Sequence, residues 1–281
     1  MQKPVPAVAA VHDLSGVGRC ALTAAIPILS AMGAQVCPVP TAVLSAHTGF
    51  APQTKIEVRD LSDFLKCQLA AWKDMNLTFD GIYTGYLGSP EQAREIAAFL
   101  DDQSAALKLV DPVMGDDGAL YSGITGEMSR AMRLLCRRAT LITPNLTEYA
   151  CLTGEAYSIE ERSLPEIEAM LGRLEAESAV VTSVPFEGGL ANACRDANGR
   201  VSVLPFRAMS RHYPGTGDLF ASVVCGALLR GDTLEQAVIL AADYVSRTIE
   251  ISMDIPIDGN FGVQLERTLP LLMPNPREEA L

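Results

Sequence analysis

"VPAVAAVHDLSGVGRCALTAAIPILSAMG", residues 5–33, holds one complete unit of the fold. The apolar run at 5–11 has the length of a strand and "HDLSG" breaks it. "RCALTAAIPILSAMG" at 19–33 then places apolar residues at helical spacing ahead of a terminating glycine. The alternation continues outward from this unit. "AQVCPVPTAVL" reads as a strand, "DLSDFLKCQLAAW" as a helix and "FDGIYTGYLG" as a strand, and "SPEQAREIAAFLDD" is a helix with Ser89 as N-cap and Pro90 at N1. "LKLVDPVMG", "ATLITPN" and "SAVVTSVP" are further strands, separated by the helices "SRAMRLLCRR" and "LPEIEAMLGRLEAE". Helices between apolar strands require crossovers, so the chain is α/β, with a mainly parallel sheet covered on both faces.

Two departures frame that core. "GLANACRD" and "RVSVLPF", joined by "ANG", read as a hairpin that gives the sheet an antiparallel edge near 188–206. Two long helices, "GDLFASVVCGALLRG" and "TLEQAVILAADYVSRTIE", close the fold. No internal repeat or linker divides the chain, which is read as a single domain over 1–281 with a frayed tail at 272–281.

Composition excludes several classes. A formal net charge of −12 over 281 residues, with no cluster of Lys and Arg, argues against a nucleic-acid surface. Nothing reaches the roughly 18 apolar residues of a membrane span, and the N-terminus carries no targeting pattern. Seven scattered cysteines with no C-x-x-C spacing read as reduced thiols, and the chain as cytoplasmic.

Two phosphate motifs fail on inspection. "GVGRCA" (16–21) fits the dinucleotide fingerprint, but the second strand ends without the acidic residue that binds the ribose hydroxyls. No lysine stands where a Walker A loop requires one, so phosphates must meet a metal ion, arginines or helix-terminal N–H groups.

"HYPGTGDLFAS" (212–222) places Asp218 at a helix start behind glycines, where unpaired N–H groups favour an anion. Asp218 is either a cap or something more. "VDPVMGDDG" (110–118) sets Asp111, Asp116 and Asp117 beyond one strand, and "ITPNLTE" (142–148) sets Asn145 and Glu148 beyond another. The carboxyl ends of parallel strands are where such sheets bind ligands. Carboxylates crowded there raise one another's pKa unless a cation sits among them, and hard oxygen ligands suit Mg²⁺. Read singly, each of these residues is equally a solvated acid or a helix cap.

Taken in order, "TAVLSAHTGF" (41–50), "TGYLGSPEQ" (84–92), "DPVMGDDGALY" (111–121), "TPNLTEYACLTG" (143–154), "VVTS" (180–183) and "GTGDLFA" (215–221) resemble the pyridoxal (pyridoxine, pyridoxamine) kinases of the ribokinase-like superfamily, almost end to end. "DPVMG" and "GTGD" are shared across vitamin-precursor kinases, whereas "TGYLGS" and "LSAHTGF" are narrower. The resemblance implies a ribokinase-like three-layer sandwich and ATP-dependent phosphorylation of a small pyridine-type alcohol, a B6 vitamer. It implies that Asp218 is the general base and that the N–H groups of Gly215, Thr216 and Gly217 form an anion hole. It assigns Asp116 and Glu148 to Mg²⁺, and Asp111, Thr143 and Thr182 to a monovalent cation such as K⁺. Asn145, Glu148, Thr182, Ser183 and Phe220 would lie at ATP, and Asp13, Thr41, His47 and Tyr86 at the vitamin ring, with Tyr86 or His47 stacking on it or packing beside it. A homodimer is expected from the same resemblance. Asp13 departs from the serine common at its position, which leaves the preferred vitamer open. Two alternatives stand beside this reading: a hydroxymethylpyrimidine kinase or related small-molecule kinase, and a silent vitamer-binding protein.

Overall fold

The computed structural model describes residues 5–273, with 52 and 122 left out. Its first strand, β1 (Ala7–Ser15), runs straight through "HDLS", beyond the expected break, and feeds α1 (Ala21–Ala31). β2 (Gln35–Leu44), β3 (Val58–Asp60), α2 (Ser62–Asp74), β4 (Gly81–Thr84), α3 (Pro90–Asp102) and β5 (Leu107–Val110) follow. A small hairpin, β6 (Gly115–Asp116) with β7 (Ala119–Leu120), precedes α4 (Gly126–Cys136), β8 (Leu141–Ile142), α5 (Leu146–Thr153) and α6 (Leu164–Gly172). The chain then forms β9 (Ser178–Phe186), β10 (Gly189–Arg195), β11 (Val201–Phe206), α7 (Thr216–Arg230) and α8 (Leu234–Met253).

Nine strands form one sheet in the order β11-β10-β9-β8-β5-β4-β1-β2-β3. The run from β9 to β2 is parallel throughout. The expected hairpin is present as β10 and β11, turned at Asp196, whose Oδ1 accepts from the amides of Asn198 and Arg200, with Gly199 in the left-handed region at φ 79°. A second antiparallel strand, β3, borders the opposite edge against Ala42–Leu44 of β2. Sequence pattern missed it because three exposed residues show no apolar alternation. Pro38 and Pro40 lie in the part of β2 that pairs only with β1, so their missing N–H groups face the side without a neighbour.

Successive strand residues serve opposite faces. Val8, Tyr83, Leu109, Leu141 and Val180 pack with α1, α7 and α8, while Ala9, Ile82, Val110, Ile142 and Val181 pack with α2 to α6. This period-2 division builds the three layers, and each fully buried leucine or isoleucine contributes roughly 1.5–3 kcal/mol. Ser89 caps α3 as expected, accepting from the Gln92 amide at 3.2 Å. At the C-terminal side, Leu272 is buried and its carbonyl accepts from Arg230 at 2.6 Å, so it belongs to the body; the rest of the expected tail, from 274, lies outside the described residues. Among the described residues no helix is long and apolar enough to cross a membrane.

Candidate active site

All the parallel strands point their carboxyl ends to one edge. Asp13 leaves that edge from β1, Tyr86 from the segment after β4, Asp111 from the residue after β5, and Thr143 and Asn145 from the turn after β8. The start of α7 comes to the same edge through its glycine turn. Gly215 is its N-cap at φ 84°, and a Cβ there would lie 2.2 Å from the Arg19 carbonyl, so only glycine fits. Leu219 is the first amide to bond into the helix, to Gly215 O at 3.0 Å. The amides of Thr216, Gly217 and Asp218 therefore stand ahead of the first helical bond, at the positive end of the helix.

The N-cap of α7 is a glycine, and among the described residues the Asp218 carboxylate accepts no hydrogen bond from its own helix. Its Oδ2 instead accepts from the amide of Ala21 at 2.9 Å, and its side chain is 17% exposed. Burial, opposed by that amide and reinforced by Asp13, lifts its pKa to about 7. Asp111 is likewise raised to about 8, by burial and then by Asp218, against a 3.2 Å hydrogen bond from the Thr143 hydroxyl. Glu148 is pushed well above the usual carboxylate range by burial and by Asp111. Asp218 thus raises Asp111, and Asp111 raises Glu148, which links the three carboxyls electrostatically.

The other expected residues divide. Thr182 on β9 bonds through its amide to Pro144 O at 3.0 Å, in the turn after β8 that also carries Thr143. Ser183 is exposed in the left-handed region at φ 57°, held by the Asn192 side chain at 3.3 Å where the β9–β10 register shifts. Asp116 meets His212 at 3.5 Å, which holds its carboxyl below the usual range. Thr41 is fully buried and donates to Tyr86 O at 2.9 Å, while burial and the nearby Asp13 raise the Tyr86 phenol. Asp13 accepts from Ser15 Oγ at 2.9 Å, and burial raises its pKa.

Three of the expected groups are already engaged within the protein. Phe220, expected at the nucleotide, is 7% exposed and packs in the core beneath α7. His47 is anchored in its ring plane: Nδ1 accepts from Gly49 N at 3.1 Å, Nε2 donates to Asn260 O at 2.6 Å, and its ring lies beside Gly18. Asn145 and Glu148 form a capping box on α5, a helix the sequence reading missed although N-x-x-E announces one. Asn145 accepts from Glu148 N at 2.9 Å and donates to Gly115 O at 2.8 Å.

Sequence reasoning missed further parts. Gln92 donates to Thr41 O at 2.9 Å and to Asp60 at 3.1 Å, tying the two ring-side segments together. Arg19 binds Phe261 O at 2.9 Å and pairs with Glu266, so the C-terminal segment clasps the loop after β1. The amide of Gly16 in that loop is spent on Leu44 O at 2.8 Å rather than on a phosphate. A depression of about 360 Å³ between α4, α5 and α6 lies away from Asp218, and its Arg137 and Arg173 are already paired with Glu175 and Glu155.

Among the described residues no three His, Cys, Asp or Glu side chains cluster closely enough to hold a metal alone. The donor set nonetheless fits a hard cation completed by phosphate and water: buried, proton-retaining carboxylates with a threonine hydroxyl between strand ends.

The family model for phosphomethylpyrimidine kinase matches residues 16–263. This chain belongs to that family. A Bacteroides thetaiotaomicron protein provisionally assigned as a phosphomethylpyrimidine kinase and crystallised with pyridoxal superposes with a TM-score of 0.90 at 40% identity, covering 97% of this chain and 98% of that one. The pyridoxine/pyridoxal/pyridoxamine kinase of Bordetella pertussis is 28% identical over 83% of this chain and 84% of its own length. The bifunctional thiamine biosynthesis protein ThiED of Geobacter sulfurreducens is 30% identical over 64% of this chain, which spans only 37% of that protein. The fold is accordingly ribokinase-like, with the helix-covered, mainly parallel sheet and antiparallel edge described above.

Proposed function

We propose that this kinase uses ATP to phosphorylate the 5′-hydroxymethyl group of a B6 vitamer. The observation that carries the reading is Asp218: a carboxylate with a pKa near 7, at a helix start whose leading amides lack helical partners. A base works best when its pKa lies near the operating pH, and phosphoryl transfer asks chiefly for positioning and charge stabilisation. Asp218 takes the hydroxyl proton as the alcohol oxygen bonds to the γ-phosphorus and the bond to the ADP oxygen breaks, with ADP leaving on the electron pair. The amides of Gly215, Thr216 and Gly217 receive the charge on the migrating phosphoryl group. Mg²⁺ carried with ATP supplies charge neutralisation on the phosphates when bound, with Asp116 and Glu148 as its carboxylates; Asp111, Thr143 and Thr182 suit a monovalent cation such as K⁺. Asp13 and Tyr86 face the ring, and the pyridoxal-bound relative supports that ligand class.

Hydroxymethylpyrimidine is the second substrate to consider, because the family name and the Geobacter relative point to thiamine chemistry. Measuring ADP release with pyridoxal, pyridoxine, pyridoxamine and hydroxymethylpyrimidine separates the two. Turnover on the pyrimidine alone overturns the B6 assignment. Asp218→Asn is expected to lower kcat by about 10² or more with ATP affinity little changed, and near-normal turnover removes Asp218 from its role.

A further inference from the structure

His12 stands in β1 beside the proposed base, and no part of the reading above uses it. Its ring is 0% exposed, and neither Nδ1 nor Nε2 has a hydrogen-bond partner among the described residues. A buried polar group left unbonded costs about 1–3 kcal/mol, so an imidazole in this state asks for a reason. Its surroundings aim it. Nδ1 lies 3.9 Å from Asp218 Oδ1, and the ring stands edge-on to Tyr83 at 4.3 Å between centroids. A Cβ on Gly85 would come within 2.2 Å of His12 Cε1 and Nδ1, so the glycine of "TGYLGS" leaves the room that the ring occupies. The gap to Asp218 is short for a bridging water, which with two bonds of about 2.8 Å at a near-tetrahedral angle holds its partners about 4.5 Å apart. It is about 1 Å too long for a direct bond, and catalytic hydrogen bonds often tighten in the Michaelis complex.

We propose that His12 is a positioning residue for Asp218: when substrates fill the site, its Nδ1–H closes onto Asp218 Oδ1, so that Ala21 holds one carboxylate oxygen and His12 the other. The inference rests on Asp218 being the base. His12 does not relay the proton. Burial lowers its pKa to about 3, so it stays a neutral donor while Asp218 titrates. A donor to the charged form favours that form, so His12 lowers the pH at which the base becomes competent. The other groups facing Asp218 are Asp13 on β1, the Cys20 thiol ahead of α1, Tyr83 on β4, Asp111 after β5 and Tyr121 after β7. Among these, Asp13 works against His12 by raising the pKa of Asp218.

The test compares His12→Phe, which keeps a ring against Tyr83 but has no donor, with His12→Asn and His12→Gln. The Asn amide nitrogen falls near the Nδ1 position and the Gln nitrogen near Nε2. Loss of one hydrogen bond to a charged group corresponds to roughly a tenfold or greater fall in kcat. His12→Phe and His12→Gln are expected to show that fall, with the acid limb of the kcat–pH profile displaced to higher pH and the KM for ATP unchanged. His12→Asn should restore both readouts. Gly85→Ala should reproduce the His12→Phe profile, and should cost nothing further in a His12→Ala background, where the space is free. An unmoved acid limb in His12→Phe, rescue by Gln equal to that by Asn, or additive Gly85 and His12 effects overturns the inference. If His12→Phe does not fold, the Asn–Gln comparison decides alone. Asp218→Asn keeps the two readings distinct: full turnover there defeats the assignment of the base, whereas a dead Asp218→Asn with an unmoved His12 limb defeats only the role of His12.

Discussion

Ala21 takes φ 47°, a region that residues with a Cβ rarely occupy, and its amide in that conformation donates to Asp218 at 2.9 Å. Strain of this kind persists only where the surroundings over-determine it, and here the N–H so aimed stabilises the ionised form of the proposed base. Asp13 acts in the opposite direction, because its charge raises the pKa of Asp218. Asp13→Asn is therefore expected to move the acid limb of the kcat/KM–pH profile, which reports the enzyme without substrates, to lower pH, opposite in direction to the His12→Phe displacement. Profiles measured on pyridoxal and on pyridoxamine check it. A limb that stays put in Asp13→Asn removes the electrostatic link between β1 and the base. The pH sign is that of a base: turnover falls as pH drops through the pKa, because the protonated carboxyl accepts nothing.

At the start of α7 the two glycines have different causes. Gly215 is required by the protein itself, since its φ of 84° and the Arg19 carbonyl exclude a side chain. A Cβ on Gly217 meets nothing within 4 Å, so protein packing does not demand glycine there; the proposed anion hole supplies a reason, close approach of the phosphoryl group. Gly217→Ala is expected to leave Tm within about 2 °C and to lower kcat by about tenfold or more, whereas Gly215→Ala should lower both. Thermal melts alongside turnover separate these outcomes, and a fully active Gly217→Ala argues against an anion hole at this turn. Elements such as α7 were legible in the sequence because apolar spacing and caps are local signals, and Ser89 with Pro90 fixed the start of α3 to the residue. β3 was not legible, being three exposed residues defined only by their partner. Asn145 and Glu148 were visible but ambiguous, because the pattern that suggests ligands beyond a strand is also the pattern of a capping box. His12 gave no sign at all, since its neighbour in space is 206 positions away in sequence.

Across the molecule, the raised carboxylates at the sheet edge set an unusual dependence of stability on pH. Asp218 near 7, Asp111 near 8 and Glu148 well above its ordinary value all retain protons in the folded protein that the unfolded chain has released by about pH 5. Where the folded state binds more protons, stability falls as pH rises. Their contribution is thus complete below the unfolded pKa values and is lost progressively up to about pH 8. The growing repulsion of a chain with formal charge −12 acts in the same direction. The carboxylates of opposite shift, such as Asp116 beside His212, lose their contribution only as pH falls below the ordinary carboxylate range. Tm of the ligand-free protein is therefore expected to be highest near pH 5 and to decline toward pH 8, and Mg²⁺ with ADP should restore more stability at pH 8 than at pH 6. The reason is linkage: at the higher pH the site is already short of protons, so a cation entering it displaces fewer and relieves a repulsion that is already present. A series of melts from pH 5 to 8, with and without the nucleotide and metal, measures this. A Tm that rises steadily toward pH 8 contradicts the assignment of these acids to one buried, proton-holding cluster.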